Sequence, residues 1–242
     1  MSTPAILSPA DTFACLNESR RAVRRFDGRP IADAVLLSLC RQAQLAPSSR
    51  NSQPYRFLCV RSPALKAVIA PLCNHQVAAH TAAALVVVVA GRALAMETLD
   101  AWDRHLAGEC GLGPRSIAYH RAELKQSRRF LKIGSWPIWS FLVGTLALLH
   151  PAASLLPIGR IGVQHWTVRS ALYAAQTFLL AACASGLDTC PMEGFNATKI
   201  AKALRLPRDL AIPLLIAVGH ASADARCEPR WRKPVPLAVE LL

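Results

Sequence analysis

The sequence predicts an α+β fold in which helices cover a small sheet, and three features carry that expectation. Of its 242 residues, 52% are hydrophobic and 18% charged, enough apolar surface for one sizeable core and too little charge for a disordered chain. Runs of consecutive aliphatic residues, Leu85–Ala90 and Leu214–Val218, read as strands buried on both faces. Longer stretches with apolar residues at helical spacing are interleaved with them.

Taken in order, Asp11–Ser19 is a short helix, and Asp33–Leu45 a second with Asp33 at its N-cap and Val35, Leu36 and Leu39 at helical spacing. It stops at Ala46-Pro47-Ser48-Ser49, a loop signal. Phe57–Val60 is a strand bounded by Pro54 and Pro63, and a helix follows from about Ala64 to Cys73. Ser116–Lys132 and the alanine-rich Val163–Ser185 are helices, the latter closed by Gly186 as its C′ residue. A short strand and turn follow Asp188, Asn196 caps a helix running to Leu204, and the tail from Arg226 is basic and proline-rich. One domain over residues 1–242 is expected, with an apolar insertion at about 133–160.

Three polar stretches carry candidate chemistry. Arg20-Arg21-Ala22-Val23-Arg24-Arg25-Phe26 holds four arginines whose forks suit bidentate phosphate binding, although a solvated basic turn reads the same way. Ala46-Pro47-Ser48-Ser49-Arg50-Asn51-Ser52-Gln53-Pro54 presents hydroxyls and amides suited to the polar edge of a heteroaromatic ring, or to an ordinary capped turn. Cys190-Pro191-Met192-Glu193-Gly194-Phe195 sets a glycine where backbone can approach a flat ligand.

Together these stretches resemble the nitroreductase-like flavoproteins. The first is similar to that family's R-R-S-V-R-x-F opening, and the second to its A-P-S-S-x-N-x-Q-P-[WY] motif, ending here in Tyr55. Residues Gly186 to Asn196 resemble G-L-[DG]-x-x-P-[IM]-x-G-F-[DN], and Arg230-Trp231-Arg232-Lys233-Pro234 resembles the closing K-x-R-x-P. The four matches keep the family's order from residue 20 to residue 234.

The resemblance implies a three-layer sandwich of helices around a small mixed sheet, and a homodimer with two FMN sites at the subunit interface. Carried over by position, Arg20, Arg21 and Arg24 would hold the FMN phosphate and ribityl chain, joined by Arg230 and Arg232. Pro47, Ser48, Ser49 and Asn51 would reach the flavin from the partner subunit. Pro191, Glu193 and Gly194 would line the isoalloxazine, and Gln76 would meet its pyrimidine edge. NADPH or NADH would supply hydride, and a small hydrophobic acceptor such as a nitroaromatic or quinone would then take its place, giving ping-pong kinetics. No catalytic side chain is implied, because the cofactor carries the reaction. Ala22 stands where the family has serine, a lost hydroxyl contact of about 1 kcal/mol.

A flavin desaturase or dehalogenase would suit the same fold. A non-catalytic, membrane-associated basic protein is the reading from another class.

No charged residue lies between Lys132 and Arg160, a length near the roughly 20 apolar residues that span a bilayer. Pro137, Pro151 and Pro157 break that run, so a lid or dimer-covering insertion over the active site is favoured, with peripheral membrane contact through 133–158 as the alternative. The formal charge of +13 favours anionic partners, but no nucleic-acid-binding signature accompanies it and none is expected. The seven histidines and eight cysteines show no zinc spacing, and reduced thiols with no signal peptide imply the cytoplasm.

Overall fold

The computed structural model describes residues 8–108, 110–134, 138, 141–143, 145, 146 and 162–242. Four strands form one sheet: β1 (Tyr55–Val60), β2 (Ala84–Gly91), β3 (Asp188–Met192) and β4 (Leu210–Gly219), in the order β1-β2-β4-β3. Every strand pair is antiparallel, with Leu58 opposite Val87, Val87 opposite Leu215 and Met192 opposite Leu215. The parallel component expected of a mixed sheet is a single bridge, Ala22 to Thr189, outside the four strands.

All of β2 is buried, and its alternating side chains feed two cores. Val86 and Val88 face helices α2 (Asp33–Ala43) and α7 (Gly162–Ala184), meeting Leu36, Leu39 and Phe178. Leu85, Val87 and Val89 face the opposite layer, where α3 (Pro63–Ile69), α4 (Val77–Thr81) and α8 (Ala197–Ala203) pack with Val23 and Phe26. The sheet is therefore the middle of three layers, as the resemblance implies. Helix α7 presents Ala171, Ala174, Ala175, Phe178, Leu179 and Ala182 as a stripe at helical spacing. A third cluster joins α5 (Arg92–Ala107) and α6 (Pro114–Ile133) to Trp166.

Helix ends show which signals are local. Ser8 caps α1 (Pro9–Ser19), its Oγ accepting from the Asp11 amide at 3.1 Å. Asn196 caps α8 as expected, accepting from the Lys199 amide at 3.0 Å. Gly186, with φ +71°, closes α7: the Leu187 amide reaches the Ala182 carbonyl and the Gly186 amide that of Cys183. Asp33 is not a cap. Ala32 holds that position, and the Asp33 carboxylate pairs with Arg61 instead. Strand β4 begins at Leu210, before Pro213, although a start at Leu214 is expected, because the β2–β4 register shifts between Val88 and Ala90 and a bulge needs no proline N–H. Helix α5 starts directly from β2 with no side-chain cap, and nothing in the sequence announced it.

Among the described residues no helix is long and apolar enough to cross a membrane. Most of the apolar segment at 133–160 lies outside the described residues; of those described in it, Val143 is buried in the third cluster and Phe141 exposed.

Phe178 is fully buried and stacks on Phe57 with centroids 5.8 Å apart. Phe178→Ala should cost about 3–5 kcal/mol, read as a fall in the urea midpoint with the slope of the transition unchanged.

Candidate functional site

The segment from Arg20 to Phe26 runs beside β3. The Val23 amide donates to the Thr189 carbonyl at 3.0 Å, and the Phe26 amide to Thr81 Oγ1 at 3.1 Å. Val23 and Phe26 are buried, at 3% and 4% exposure, so the sheet holds the segment by its apolar residues while its arginines remain partly or fully exposed. The C-terminal tail returns to the same place. Arg230 donates to the carbonyls of Asn17 (2.9 Å), Glu18 (3.0 Å) and Arg20 (2.6 Å), satisfying acceptors that the end of α1 leaves open. Arg21 donates to the Glu228 carbonyl.

The outcome is a cleft of about 230 Å³ lined by Arg20, Arg21, Arg24, Arg230 and Arg232, with Cys227 and Glu228 on its wall. All five arginines expected at a phosphate are brought together. A second cleft of about 520 Å³ shares Arg24 and Glu228 with it and adds Arg25 and Arg226. Arg25 is paired with Asp224 at 3.5 Å. Burial lowers the Arg20 pKa, and the positive charges of Arg230 and Arg232 lower it further, though the group stays cationic at neutral pH. Guanidinium groups crowded on one another raise their own energy, and an anion between them relieves it.

Strand β3 leads from this cleft into the turn at Glu193 and Gly194. The Arg24 charge reaches back to Cys190, where it partly opposes a burial that pushes the thiol pKa up. Gln76 Nε2 donates to the Gly194 carbonyl at 2.8 Å. A Cβ at Gly194 would lie 3.2 Å from Asn74 Nδ2 and 3.3 Å from Gln76 Nε2, so only a glycine lets the two amides approach this backbone without shifting. Asn74 and His75 both adopt positive φ to make this approach. Gln76 was expected here and Asn74 was not, since a polar triplet between Cys73 and Val77 carries no spacing rule.

The loop with Pro47, Ser48, Ser49 and Asn51 sits elsewhere. It precedes β1, and β1 and β3 are opposite edges of the sheet, three strand spacings or about 14 Å apart. Within one chain these four residues do not join the arginines. Arg50, Asn51 and Gln53 have φ of 55°, 50° and 36°, left-handed conformations costing about 1–3 kcal/mol each outside glycine. Ser48 Oγ accepts from the Gln53 amide at 3.1 Å, and Gln53 Nε2 donates to Asn51 Oδ1 at 3.0 Å. Arg50 is fastened to α6 by Gln126, Ser127 and Glu123 and lies over the Phe130 ring. Ser52 Oγ and Tyr55 Oη are buried with no hydrogen-bond partner, and burial raises the Tyr55 pKa. Loop, α5 and α6 together wall a cleft of about 390 Å³ that includes Asn51, Trp102, Tyr119 and His120.

Among the described residues no group of three His, Cys, Asp or Glu side chains is placed to hold a metal ion. The arginine cleft and the amides at Gly194 suit a ligand with an anionic end and a flat, amide-binding end.

The chain is similar in sequence and fold to known proteins. Protein DrgA of Synechocystis is 31% identical over 94% of this chain and 93% of its own length. A protein named NADH dehydrogenase from Thermus thermophilus is 26% identical over 91% of both chains. The crystal structure of a "putative nitroreductase in complex with FMN" from Exiguobacterium sibiricum superimposes with a TM-score of 0.70, covering all of both chains at 24% identity. Residues 18–220 match the model of the Nitroreductase family, from just before the arginine stretch to just past β4, and the chain belongs to that family.

Proposed function

We propose that this protein holds FMN and uses NADPH or NADH to reduce small hydrophobic acceptors such as nitroaromatics or quinones. The observation that carries the reading is the gathering of five arginines in one cleft beside β3, the strand that leads to the Asn74 and Gln76 amides at Gly194; a phosphate suits the first and a heteroaromatic edge the second. Membership of the family supports it, as do a relative named for NADH oxidation and a structure of the same fold that holds FMN.

The residues divide the work by chemistry. Arg20, Arg21, Arg24 and Arg232 would hold the phosphate, since guanidinium groups donate in pairs and stay charged. Arg230 spends three donors on the end of α1, so it would act mainly by fixing that helix and the arginines beyond it. Pro191, Glu193 and Gly194 would line the ring, and Gln76 with Asn74 would meet its amide edge. Positive charge from the arginines and backbone donors of the 191–194 turn would favour a ligand that gains negative charge when reduced. FMN, when bound, supplies two-electron transfer between donor and acceptor.

Pro47, Ser48, Ser49 and Asn51 would complete the site from the partner subunit of a homodimer, because a single chain keeps them at the opposite sheet edge. None of the residues assigned to the site is needed as a general acid or base. Donor and acceptor would occupy it in turn, and the kinetics would be ping-pong. The cytoplasm, where nicotinamides and reduced thiols coexist, suits such an enzyme.

Arg24→Ala removes one charge-assisted contact and should raise the Kd for FMN by about 10- to 100-fold, measured by quenching of flavin fluorescence. An unchanged Kd would take Arg24 out of the site. For the activity, the FMN-loaded protein is treated anaerobically with NADPH and then NADH. The visible flavin band should bleach with at least one of them and return on adding a nitroaromatic or quinone. A flavin band indifferent to both donors would sink the reductase reading.

A further inference from the structure

The two stems of the loop at 46–54 carry a pair of thiols that the flavin reading does not use. Cys40 lies in α2 and Cys59 in β1, and their Sγ atoms are 3.9 Å apart. An S–S bond is about 2.05 Å, so closure needs an approach of less than 2 Å. Cys59 is exposed and Cys40 half-buried, so a small solute reaches the outer sulfur first. Among the described residues no other two thiols come within hydrogen-bond reach of each other.

The surroundings distinguish the two sulfurs. Asp33 and Cys40 stand two turns apart on one side of α2, and Cys59 and Arg61 stand two residues apart on one side of the β1 line. Arg61 pairs with Asp33, fastening the helix to the strand beside the thiols. The hydrogen bond shared with Cys40, and after it the Arg61 charge, draw the Cys59 thiol pKa below its ordinary value, against burial and the Asp33 charge. The same hydrogen bond, with burial, pushes Cys40 up. Cys59, exposed and two residues from the Arg61 guanidinium, is therefore the nucleophile, and half-buried Cys40 the resolving thiol. Buried Cys73, by contrast, is pushed up to about 11.

We propose that Cys40 and Cys59 are a modification site for hydrogen peroxide, which closes them into a disulfide across the base of the 46–54 loop. The Cys59 thiolate attacks one peroxide oxygen and the O–O bond breaks. The departing hydroxide takes up a proton as water, leaving Cys59 as a sulfenic acid. The Cys40 sulfur then attacks the Cys59 sulfur, the S–O bond breaks, and the hydroxyl leaves as a second water with the Cys40 proton. In sum two thiols lose two electrons and two protons, and one peroxide becomes two waters. The resulting ring contains Pro47, Ser48, Ser49 and Asn51, so oxidation restrains the segment whose left-handed residues make it costly to hold.

The test treats the full-length, FMN-loaded protein with an equimolar amount of hydrogen peroxide, blocks remaining thiols with iodoacetamide and maps the peptides. The expected product is a Cys40–Cys59 cross-linked pair, about 2 Da lighter than the two thiol peptides together. It should form before the other six cysteines lose alkylation and be reversed by dithiothreitol. In Cys40→Ser, dimedone should tag Cys59; in Cys59→Ser, Cys40 should stay a thiol. The wild-type map stands even if either variant fails to fold. Oxidation of Cys15 or Cys227 ahead of the pair, sulfonic acid at Cys59 without a cross-link, or no reaction would each overturn the proposal.

Discussion

Burial of the β2–β4 pair on both faces is the constraint on which the rest of this structure depends. Two central strands made almost wholly of aliphatic residues need cover above and below, and they obtain it from α2 and α7 on one side and from α3, α4 and α8 on the other. The helices then fix where the sheet's edges lie. Edge β3 carries the Glu193–Gly194 turn and receives the arginine segment through one parallel bridge. Edge β1 carries the Ser48–Asn51 loop. The site's parts are thus distributed by sheet order, and two strands of packed core stand between them.

Electrostatic cost is concentrated at one edge. Five guanidinium groups line one cleft; burial first, and then the charges of Arg230, Arg232 and Arg21, lower the Arg20 pKa, and Arg230 reduces the cost by donating to backbone carbonyls at the end of α1. Part of the charge excess is therefore gathered in one place. A solvated basic surface would have spread the same charges apart, where screening makes them nearly independent.

At the other edge the cost is conformational. Three non-glycine residues held left-handed, together with two buried hydroxyls lacking partners, mark a segment held against its own preference by Arg50 and α6. Such strain is kept where the surroundings over-determine it, and it accords with a loop that meets a ligand or a second subunit. The thiol pair at its stems lies where one covalent bond would most constrain it.

Strands β1, β2 and β4, the end of α7 at Gly186, the Asn196 cap and the polar character of all three motif stretches were legible in the residues, because each depends on neighbours a few positions away. The resemblance added which of those stretches to expect at one site. The return of Arg230 to α1, the passage of β4 through Pro213, the amide of Asn74 over Gly194 and the approach of Cys40 to Cys59 were not legible. Each joins residues that packing of the layers brings together, and such contacts leave no periodic trace in sequence. By itself the sequence determined the local elements and the chemical inventory of the protein, since short-range geometry and side-chain type suffice for both. Only the tertiary structure decided which parts of that inventory share an edge of the sheet, because strand order is set by how buried faces pack.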